Sequence, residues 1–408
     1  MGCKRPDSIS PSSQKAFVMK KMRNIYLLGI TSFLNDLSSE MILPLLPALI
    51  TQTGGTGLAL GLIGGLRDSA SELMKAFFGI ASDRYKTKKP FIYAGYLVTG
   101  ALKFFLPLAK TWQAIFVMVG IERIGKGLRT APRDAIIAQT ASDQKGRSFG
   151  IHRCFDAAGA IAGSGIALVL LSAGSTISFH SICIAAGVIS ILAVVPLFWV
   201  QEQLPAYAHE SDVSFVGMAD ALKIIRVPTA IAALFSLGSL SYMFLIAYAS
   251  EVLAGSACGP TMPVALYVLY NIIYTLVAMP AGIISDKISH GYGLSIGYGM
   301  FALGMFCFAL LQPSIVVLVI GFVCYSVAKA FIDVNHKALV AQRVPNRFHA
   351  SALGIFDTIT GLCTLLAGGL CGLLWDYVSR QGMFLYAAVV TAAAAVLLVV
   401  YKQLWWKA

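Results

Sequence analysis

The chain has 408 residues, of which 57% are hydrophobic and only 12% are charged, and its formal net charge is +12. A soluble globular protein carries about 25% charged residues, so this composition excludes the two or three soluble domains that the length would otherwise indicate. The runs 90–109, 177–200, 291–311 and 382–401 are nearly uncharged and long enough to cross a bilayer as helices. The sequence therefore predicts an all-α integral membrane protein.

Hydropathy and turn residues together predict twelve transmembrane helices, six on each side of a polar stretch in the middle of the chain. Their predicted ranges are 25–50, 57–82, 90–109, 112–140, 146–173, 177–200, 227–252, 262–285, 291–311, 313–341, 347–375 and 382–403. We expect residues 1–22 to form a disordered cytoplasmic tail and residues 202–226 a cytoplasmic linker. Residues 23–201 and 227–404 are expected to form two six-helix bundles related by a pseudo-two-fold axis.

Positive charge alternates between successive connections of the predicted helices. Basic residues precede the first helix and follow the second, fourth and tenth, whereas the connections near 52–57, 172–177, 253–261 and 311–313 contain none. This asymmetry is the positive-inside pattern, and it predicts that both termini are cytoplasmic. The charge therefore reflects topology in a lipid bilayer and does not indicate a nucleic-acid partner.

The sequence contains no pattern typical of an enzyme, a metal site or a bound cofactor. None of the eight cysteines forms a C-x-x-C pair, and most lie in apolar helices. The segment GIERIGKG at 120–127 is similar to a phosphate-binding loop, but Gly127 stands where Ser or Thr would bind magnesium. We therefore expect no enzymatic activity and no cofactor.

Short segments repeat between the two halves of the chain. GIASDR at 79–84 is matched by GIISDK at 282–287, and RSFGI at 147–151 is matched by SALGI at 351–355. The offset is 203 residues from Asp83 to Asp286 and 204 residues from Gly150 to Gly354. Parallel repeats of six helices are typical of secondary transporters, which hold their substrate near the membrane midplane between the repeats.

Two motifs carry a resemblance to a known family. Gly79-x-x-x-Asp83-Arg84, followed by Lys88 and Lys89, resembles the signature of the major facilitator superfamily between its second and third helices, and Arg123-x-x-Lys126-Gly127 is similar to a second motif of that family. The resemblance covers about residues 24–403. It implies a cytoplasmic latch that joins the halves in one state, and our gating residues are Gly79, Asp83, Arg84, Lys88, Arg133, Asp134 and Asp286.

One position departs from the family pattern. In Gly159-x-x-x-Gly163-Ser164-Gly165, Ser164 stands where antiporters of the family carry Pro. This departure weakens an assignment as an exporter.

Ionisable residues occur inside several predicted helices. Each costs roughly 2.5–3.5 kcal/mol near the bilayer centre, so we expect it to face a cavity or a partner. Asp36 and Glu40 lie one turn apart on one helix face, and Asp68 lies near the middle of the second helix. We predict that Asp36, Glu40 and Asp68 carry the coupling proton. The alternative is that they balance buried basic groups on neighbouring helices.

Basic residues form a stripe that enters the membrane along the fourth predicted helix. The predicted substrate-binding residues are Arg67, Arg123, Lys126, Arg153 and Lys329. The alternative for the stripe is a set of salt bridges to the carboxylates Asp36, Glu40 and Asp68. We also expect an i, i+4 pair between Lys329 and Asp333, and an ion pair within one helix between Asp156 and either His152 or Arg153.

These observations predict a proton-coupled secondary transporter of the bacterial inner membrane that moves a small anionic solute by alternating access. Its partners would be the solute and protons, and we expect a monomer. Two alternatives remain open. One is an exporter of drugs or organic cations that uses Asp36 and Glu40 as the cation site. The other is a receptor or assembly protein that keeps the fold without transporting.

Overall fold

The computed structural model describes residues 11–85, 87–140, 145–173, 178–202, 215–256, 259, 261–344 and 349–405, and all regular structure in these ranges is helical. The α-helices are α1 Pro11–Ile42, α2 Leu46–Gln52, α3 Gly57–Arg84, α4 Lys89–Phe105, α5 Trp112–Thr140, α6 Lys145–Ser172, α7 Phe179–Leu192, α8 Phe215–Gly238, α9 Tyr242–Val252, α10 Met262–Ile288, α11 His290–Leu310, α12 Ile315–Ala341, α13 His349–Tyr377 and α14 Arg380–Trp405. Short 3-10 segments at Leu43–Leu45, Leu106–Leu108 and Val195–Trp199 extend α1, α4 and α7.

Ten helical stretches within the described ranges are long and apolar enough to cross a membrane. The stretch Arg23–Gln52 joins α1 to α2, and the stretch Ile225–Val252 joins α8 to α9. Helices α3 and α5 have 28 and 29 residues, but they are not among the ten. These two helices carry Arg67, Asp68 and the basic stripe, whereas Asp36, Glu40, Arg153 and Lys329 lie in stretches that are among the ten.

Two predicted boundaries differ from the structure. Helix α1 begins at Pro11, so residues 11–22 are helical, although the sequence was predicted to form a disordered tail there. Proline suits the first turn of a helix because the backbone N–H that it lacks has no partner there. Helix α8 begins at Phe215, so residues 215–226 of the predicted linker belong to a continuous helix.

Two of the predicted helices, 25–50 and 227–252, are each interrupted by a short segment that is not α-helical. Pro44 lies in the 3-10 segment between α1 and α2 and Pro47 in the first turn of α2, and their missing N–H groups interrupt the α-helical hydrogen bonds. Residues 239–241 separate α8 from α9. Two carbonyl groups at this break are satisfied by tyrosines, since the hydroxyl of Tyr386 donates to Leu237 O at 2.9 Å and that of Tyr325 donates to Leu240 O at 3.3 Å.

Helix packing follows the same scheme in the two halves of the chain. In the N-terminal half α1 packs on α6 and α7, α3 packs on α5, and α4 packs on α5 and α7. In the C-terminal half α8 packs on α13 and α14, α10 packs on α12, and α11 packs on α12 and α14. The halves meet where α3 packs on α13 and α6 packs on α10.

Helices α1 and α6 approach closely because glycines of α6 face the backbone of α1. A methyl group on Gly163 would collide with the carbonyl group of Leu37, and one on Gly159 would collide with the carbonyl oxygen of Phe33. Gly165, two residues further along α6, has open space on its side-chain side.

We expect Gly163→Ala to lower the thermal unfolding temperature of the purified protein, because overpacking a tight contact typically costs about 1–3 kcal/mol. Gly165→Ala is the matched control. It should leave the unfolding temperature unchanged or raise it slightly, because alanine favours a helix over glycine by about 1 kcal/mol. Equal unfolding temperatures for the two variants would show that the α1–α6 contact is not tight.

We call the end of the molecule with the connections 84–89, 140–145 and 341–349 the basic end, and the end with the connections 52–57, 252–262 and 377–380 the far end. At the far end, Asp376 of α13 caps the first turn of α3. Its two carboxylate oxygens accept hydrogen bonds from the N–H groups of Gly57 at 2.7 Å and Leu58 at 2.9 Å. Gly61 of α3 and Gly368 of α13 then bring the two backbones into contact, and a side chain on either would collide with the other.

Candidate functional site

The described hydrogen bonds between the two halves converge on the middle of the molecule and on its far end. Tyr267 of α10 donates its hydroxyl hydrogen to Glu40 of α1 at 2.8 Å. One turn along α10, Asn271 donates to the hydroxyl of Ser164 on α6 at 3.3 Å. Ser164 thus holds the second half at the position where the family's antiporters carry Pro.

Arg67 faces the break between α8 and α9. Its guanidinium group lies over the ring of Tyr242, 5.4 Å from the ring centroid. Helix α3 approaches the break closely at Gly64, where a methyl group would collide with Ser241. The Nη1 atom of Arg67 and the hydroxyls of Ser241 and Tyr242 are buried and have no hydrogen-bond partner within the described structure. Three polar groups at one place thus have unused hydrogen-bonding capacity.

The first turn of α9 adds positive potential at this place. Helix α9 runs from Tyr242 to Val252 and begins inside the molecule, and Ser241 does not cap it with its side chain. The N-terminal end of a helix carries a partial positive charge because its first N–H groups lack helical partners. Arg67 and this helix end therefore create a positive environment between the two halves.

The ion pairs that the basic stripe of α5 forms differ from those of the predicted alternative. Arg123 is 3% exposed and forms an ion pair of 2.7 Å with its neighbour Glu122, while its Nε atom has no described partner. None of the described ion pairs within 4 Å joins the stripe to Asp36, Glu40 or Asp68, although Asp36 lies near enough for its charge to act on Lys126 and Arg129. Side chains within one turn reach each other more easily than side chains on separate helices.

Further along α5, arginines bind hydroxyl and amide groups of neighbouring helices. Arg129 donates to Asn35 and to Thr99, both at 2.9 Å, and lies over the ring of Tyr96. These contacts join α5 to α1 and α4. Arg129 therefore stabilises the packing of the N-terminal half.

The remaining predicted site residues differ in how exposed they are. Asp36 and Lys126 are half-buried, and Asp36 accepts a hydrogen bond from Asn35 at 3.3 Å. Asp68 is exposed on α3, one residue after Arg67. Arg153 is exposed on α6, and among the described residues no ion pair or hydrogen bond joins it to Glu40 or Arg67.

In the C-terminal half, the predicted pair of Lys329 and Asp333 is confirmed, with 3.4 Å between Nζ and Oδ1. The side chains are 34% and 43% exposed, so the pair faces open space within the helix bundle. Tyr274 of α10 donates to the same carboxylate at 3.1 Å. Lys329 therefore belongs to a group of polar side chains shared by α10 and α12.

Sequence reasoning missed Lys103 of α4. The side chain is 5% exposed, and its ammonium group donates to the hydroxyls of Ser38 at 2.7 Å and Ser39 at 3.0 Å. Lys103 and Glu122 line a cavity of about 40 Å³ between α1, α4 and α5. Lys103 is the single charge in an otherwise uncharged run, and this isolated charge was the signal in the sequence that could have identified it.

The predicted gating residues lie at the basic end. Arg133 pairs with Asp134 at 3.0 Å and donates to Ser32 at 2.9 Å. Asp286 lies 3.4 Å from His290 in the turn between α10 and α11. Lys88 is buried, and its backbone N–H donates to Glu202. The predictions for Gly79, Asp83 and Arg84 fall on side-chain positions outside the described part of the chain.

Metal binding finds no support in the described geometry. No group of three or more His, Cys, Asp or Glu side chains within the described ranges could hold a metal ion. The site thus consists of buried and half-buried charged side chains, hydroxyl groups and aromatic rings on helices from both halves.

A long all-helical membrane fold with charged groups enclosed between its two halves defines a membrane transport protein. The model of the Major Facilitator Superfamily matches residues 28–256 and 261–404. The chain belongs to the Major Facilitator Superfamily. It is 41% identical over 381 residues to an uncharacterized MFS-type transporter of Methanocaldococcus jannaschii, which covers 92% of this chain and 94% of the relative.

Other similarities are more distant. The multidrug resistance protein MdtH of Yersinia enterocolitica is 29% identical over 184 residues, covering 45% of this chain and 44% of that protein. Among solved structures, a mutant of the nucleoside transporter NupG matches with a TM-score of 0.78 at 18% identity, over 92% of this chain and 99% of the other. A POT family transporter in complex with a thioalcohol-conjugated peptide matches with a TM-score of 0.77 at 14% identity, over 93% and 96% of the two chains. At these identities the structural matches show the fold alone.

Proposed function

We propose that the protein is a proton-coupled secondary transporter that moves a small anionic solute by alternating access between two six-helix bundles, residues 23–201 and 227–404. The repeated packing scheme supports the two bundles, because the main helix packings of one half recur between the corresponding helices of the other. Among the strongest described packings, only α3–α13 and α6–α10 join the two halves. A contact through two helix pairs supports a rocking motion of the halves.

The proposal that the solute is anionic rests on Arg67, which lies at the first turn of α9. A guanidinium group with a buried, unpartnered N–H beside a helix N-terminus favours a negatively charged ligand. Transporters commonly use the N-terminal ends of interrupted helices to bind anionic groups near the membrane midplane. Arg123, Lys126, Arg153 and Lys329 are the further proposed substrate residues, of which Arg123 and Lys329 are paired with Glu122 and Asp333 in this structure.

The proposed state of this structure is closed at the far end and open at the basic end. Asp376 and the glycine contact of α3 with α13 close the far end, whereas Asp68, Lys329 and Asp333 have exposed side chains nearer the middle. The basic connections support a cytoplasmic position for the open end and for both termini, in a bacterial inner membrane. In the opposite state Gly79, Asp83, Arg84, Lys88, Arg133, Asp134 and Asp286 would close the basic end.

Proton coupling is assigned to Glu40, with Asp36 and Asp68 as further proton carriers. Glu40 accepts its hydrogen bond from the other half, so its protonation state affects how the halves are held together. A hydrogen bond to an ionised carboxylate is about twice as strong as one between neutral groups. Protonation of Glu40 therefore weakens its contact with Tyr267 and favours separation of the halves.

We expect Glu40→Gln to abolish uptake driven by a pH gradient while preserving exchange of solute across the membrane. Glutamine keeps a hydrogen-bond acceptor for Tyr267 but cannot carry a proton. The measurement compares accumulation under a pH gradient with counterflow in reconstituted vesicles. Glu251→Gln is the control, because Glu251 is an exposed carboxylate at the far end that pairs with Arg380 inside the C-terminal half. Retained accumulation by Glu40→Gln would contradict the assignment.

Export of an organic cation is the second candidate. Asp68 is an exposed carboxylate that is available to a cation, and residues similar to MdtH cover 45% of the chain. A thermal-shift screen of the purified protein with small carboxylates, phosphates and lipophilic cations separates the two functions, since a ligand at one hundred times its dissociation constant stabilises the folded state by about 2.7 kcal/mol. Stabilisation by anions alone supports the leading proposal, and stabilisation by cations alone overturns it.

A further inference from the structure

We propose that the transported solute carries a flat aromatic ring, which stacks on a wall of tyrosines contributed by α10 and its neighbours. This inference rests on the proposed function for the charge of the solute and adds the chemical class of its body. We define the tyrosine wall as Tyr242, Tyr267, Tyr270, Tyr274 and Tyr325. No role in the predicted site was given to these rings.

The wall starts from one face of α10. Tyr267, Tyr270 and Tyr274 follow at spacings of three and four residues, which places them along one side of the helix. Tyr267 and Tyr270 are nearly parallel, with 5.6 Å between ring centroids and 26° between planes, and Tyr274 lies 6.1 Å from Tyr270. Three successive rings thus form a continuous aromatic strip.

Two further tyrosines widen the strip from other helices. Tyr325 of α12 lies 5.5 Å from the ring of Tyr270, and Tyr242 of α9 lies 4.9 Å from that of Tyr267. Tyr242 and Tyr325 are 6% and 3% exposed, while Tyr270 and Tyr274 are half-buried. The packed rings hold Tyr270 in place, and Tyr270 presents the accessible part of the wall.

The wall lies along the contact between the two halves. The same face of α10 carries Tyr267, which binds Glu40 of α1, and Asn271, which binds Ser164 of α6. Alternating access opens and closes this contact, so aromatic rings at this place form a surface that a solute meets during the cycle.

Charged groups border the wall at both ends. Arg67 lies over the ring of Tyr242 at one end, and Asp333, which accepts the hydroxyl hydrogen of Tyr274 and pairs with Lys329, lies at the other. A solute that carries both a negative charge and an aromatic ring matches this arrangement, because Arg67 and Lys329 favour its charge and the half-buried ring of Tyr270 offers its ring a stacking surface, whereas Tyr267 is only 2% exposed. Aromatic pairs stabilise contact beyond the burial of area, by an amount that corresponds to about two- to tenfold in affinity.

The test uses four probes that vary ring and charge independently: benzoate, cyclohexanecarboxylate, benzylamine and cyclohexylmethylamine. Dissociation constants are measured by thermal-shift titration of the purified full-length protein and checked by competition. We expect benzoate to bind about three- to tenfold more tightly than cyclohexanecarboxylate, which has the same charge and a similar size but a puckered ring. Equal binding of the two carboxylates overturns the aromatic class and leaves the anionic function intact.

Substitutions at Tyr270 test whether the preference for benzoate over cyclohexanecarboxylate depends on the tyrosine wall. Tyr270→Phe keeps the ring and should keep the preference for benzoate, whereas Tyr270→Leu removes the ring and should reduce the preference to about one. An unchanged preference in Tyr270→Leu overturns the assignment to the wall. A ring preference that occurs only between the two amines supports the wall and overturns the anionic function. If none of the four probes binds, the aromatic class fails, and the screen with phosphates and other carboxylates decides the anionic function.

Discussion

Replacing Arg67 by glutamine is expected to weaken binding of the anionic solute at least tenfold and to abolish its uptake, with little change in the unfolding temperature. A hydrogen bond to a charged group contributes about 1.5–3 kcal/mol, which corresponds to more than tenfold in affinity. Arg67 has no described ion pair within 4 Å and lies over the ring of Tyr242, so its loss breaks no described ion pair, although its charge also acts on Glu40 and Glu122. The measurement is the dissociation constant of a small carboxylate with the variant and the wild type.

Arg380→Gln is the matched control for Arg67→Gln. Arg380 is an exposed arginine at the far end that pairs with Glu251 at 3.0 Å, so its replacement should leave binding unchanged. Arg123→Gln would be harder to interpret, because it removes the described ion-pair partner of Glu122. Leaving one member of a buried ion pair alone costs about 3–5 kcal/mol. Wild-type affinity in Arg67→Gln would contradict the role of Arg67.

Replacing Asp376 by alanine is expected to shift the protein towards a state that is open at the far end. The carboxylate caps α3 across the contact between the halves, with hydrogen bonds to the N–H groups of Gly57 and Leu58. Loss of a helix cap costs about 0.5–2 kcal/mol, and every 1.4 kcal/mol is tenfold in an equilibrium constant, so the population ratio should change by about tenfold. The carboxylate of Asp376 and the N–H groups of α3 separate when the far end opens, so the substitution destabilises only the closed state.

Distances between spin labels measure this shift. Labels on cysteines introduced at Gln52 and Ser256, in a background without the native cysteines, report the separation of the two halves because both positions are exposed at the far end. We expect Asp376→Ala to increase the population at the longer distance. Glu251→Ala is the control, since Glu251 is an exposed far-end carboxylate whose described ion pair stays inside the C-terminal half. The same distance distribution in both variants would rule out a closing role for Asp376.

The helices could be predicted from the sequence because burial in a bilayer requires long apolar runs. The predicted range 112–140 coincides with α5, and 291–311 differs from α11 by one residue at each end. The i, i+4 pairs Lys329–Asp333 and His152–Asp156 were also predictable, since one turn of helix fixes which side chains meet.

Contacts between helices distant in the sequence could not be predicted. The cap of α3 by Asp376 joins residues more than three hundred positions apart, and the contact of Glu40 with Tyr267 depends on how the two halves meet. Hydropathy also treats tyrosine as nearly neutral, so the spacing of Tyr267, Tyr270 and Tyr274 did not stand out from the apolar residues around them. Backbone carbonyl groups at the α8–α9 break needed hydroxyl partners from α12 and α14, which no local pattern indicates.

These features form one mechanism. In the mechanism that we propose, a positive group at the start of α9 attracts the anion, the tyrosine wall receives its ring, and the hydrogen bond between Glu40 and Tyr267 couples protonation to the contact between the halves. In the same proposal, Asp376 holds the far end closed while the solute enters from or leaves to the basic end. Each part acts through a described contact between the N-terminal and C-terminal halves.

The most direct test of proton-coupled anion transport is the flux of radiolabelled benzoate into vesicles that contain the purified protein. The pH on the two sides of the membrane is varied, and protein-free vesicles report passive permeation. We predict that an imposed pH gradient drives protein-dependent accumulation, that a protonophore dissipates it, and that vesicles with Arg67→Gln show only the passive rate. Equal rates in wild-type and protein-free vesicles for benzoate and for other small carboxylates and phosphates would contradict the account.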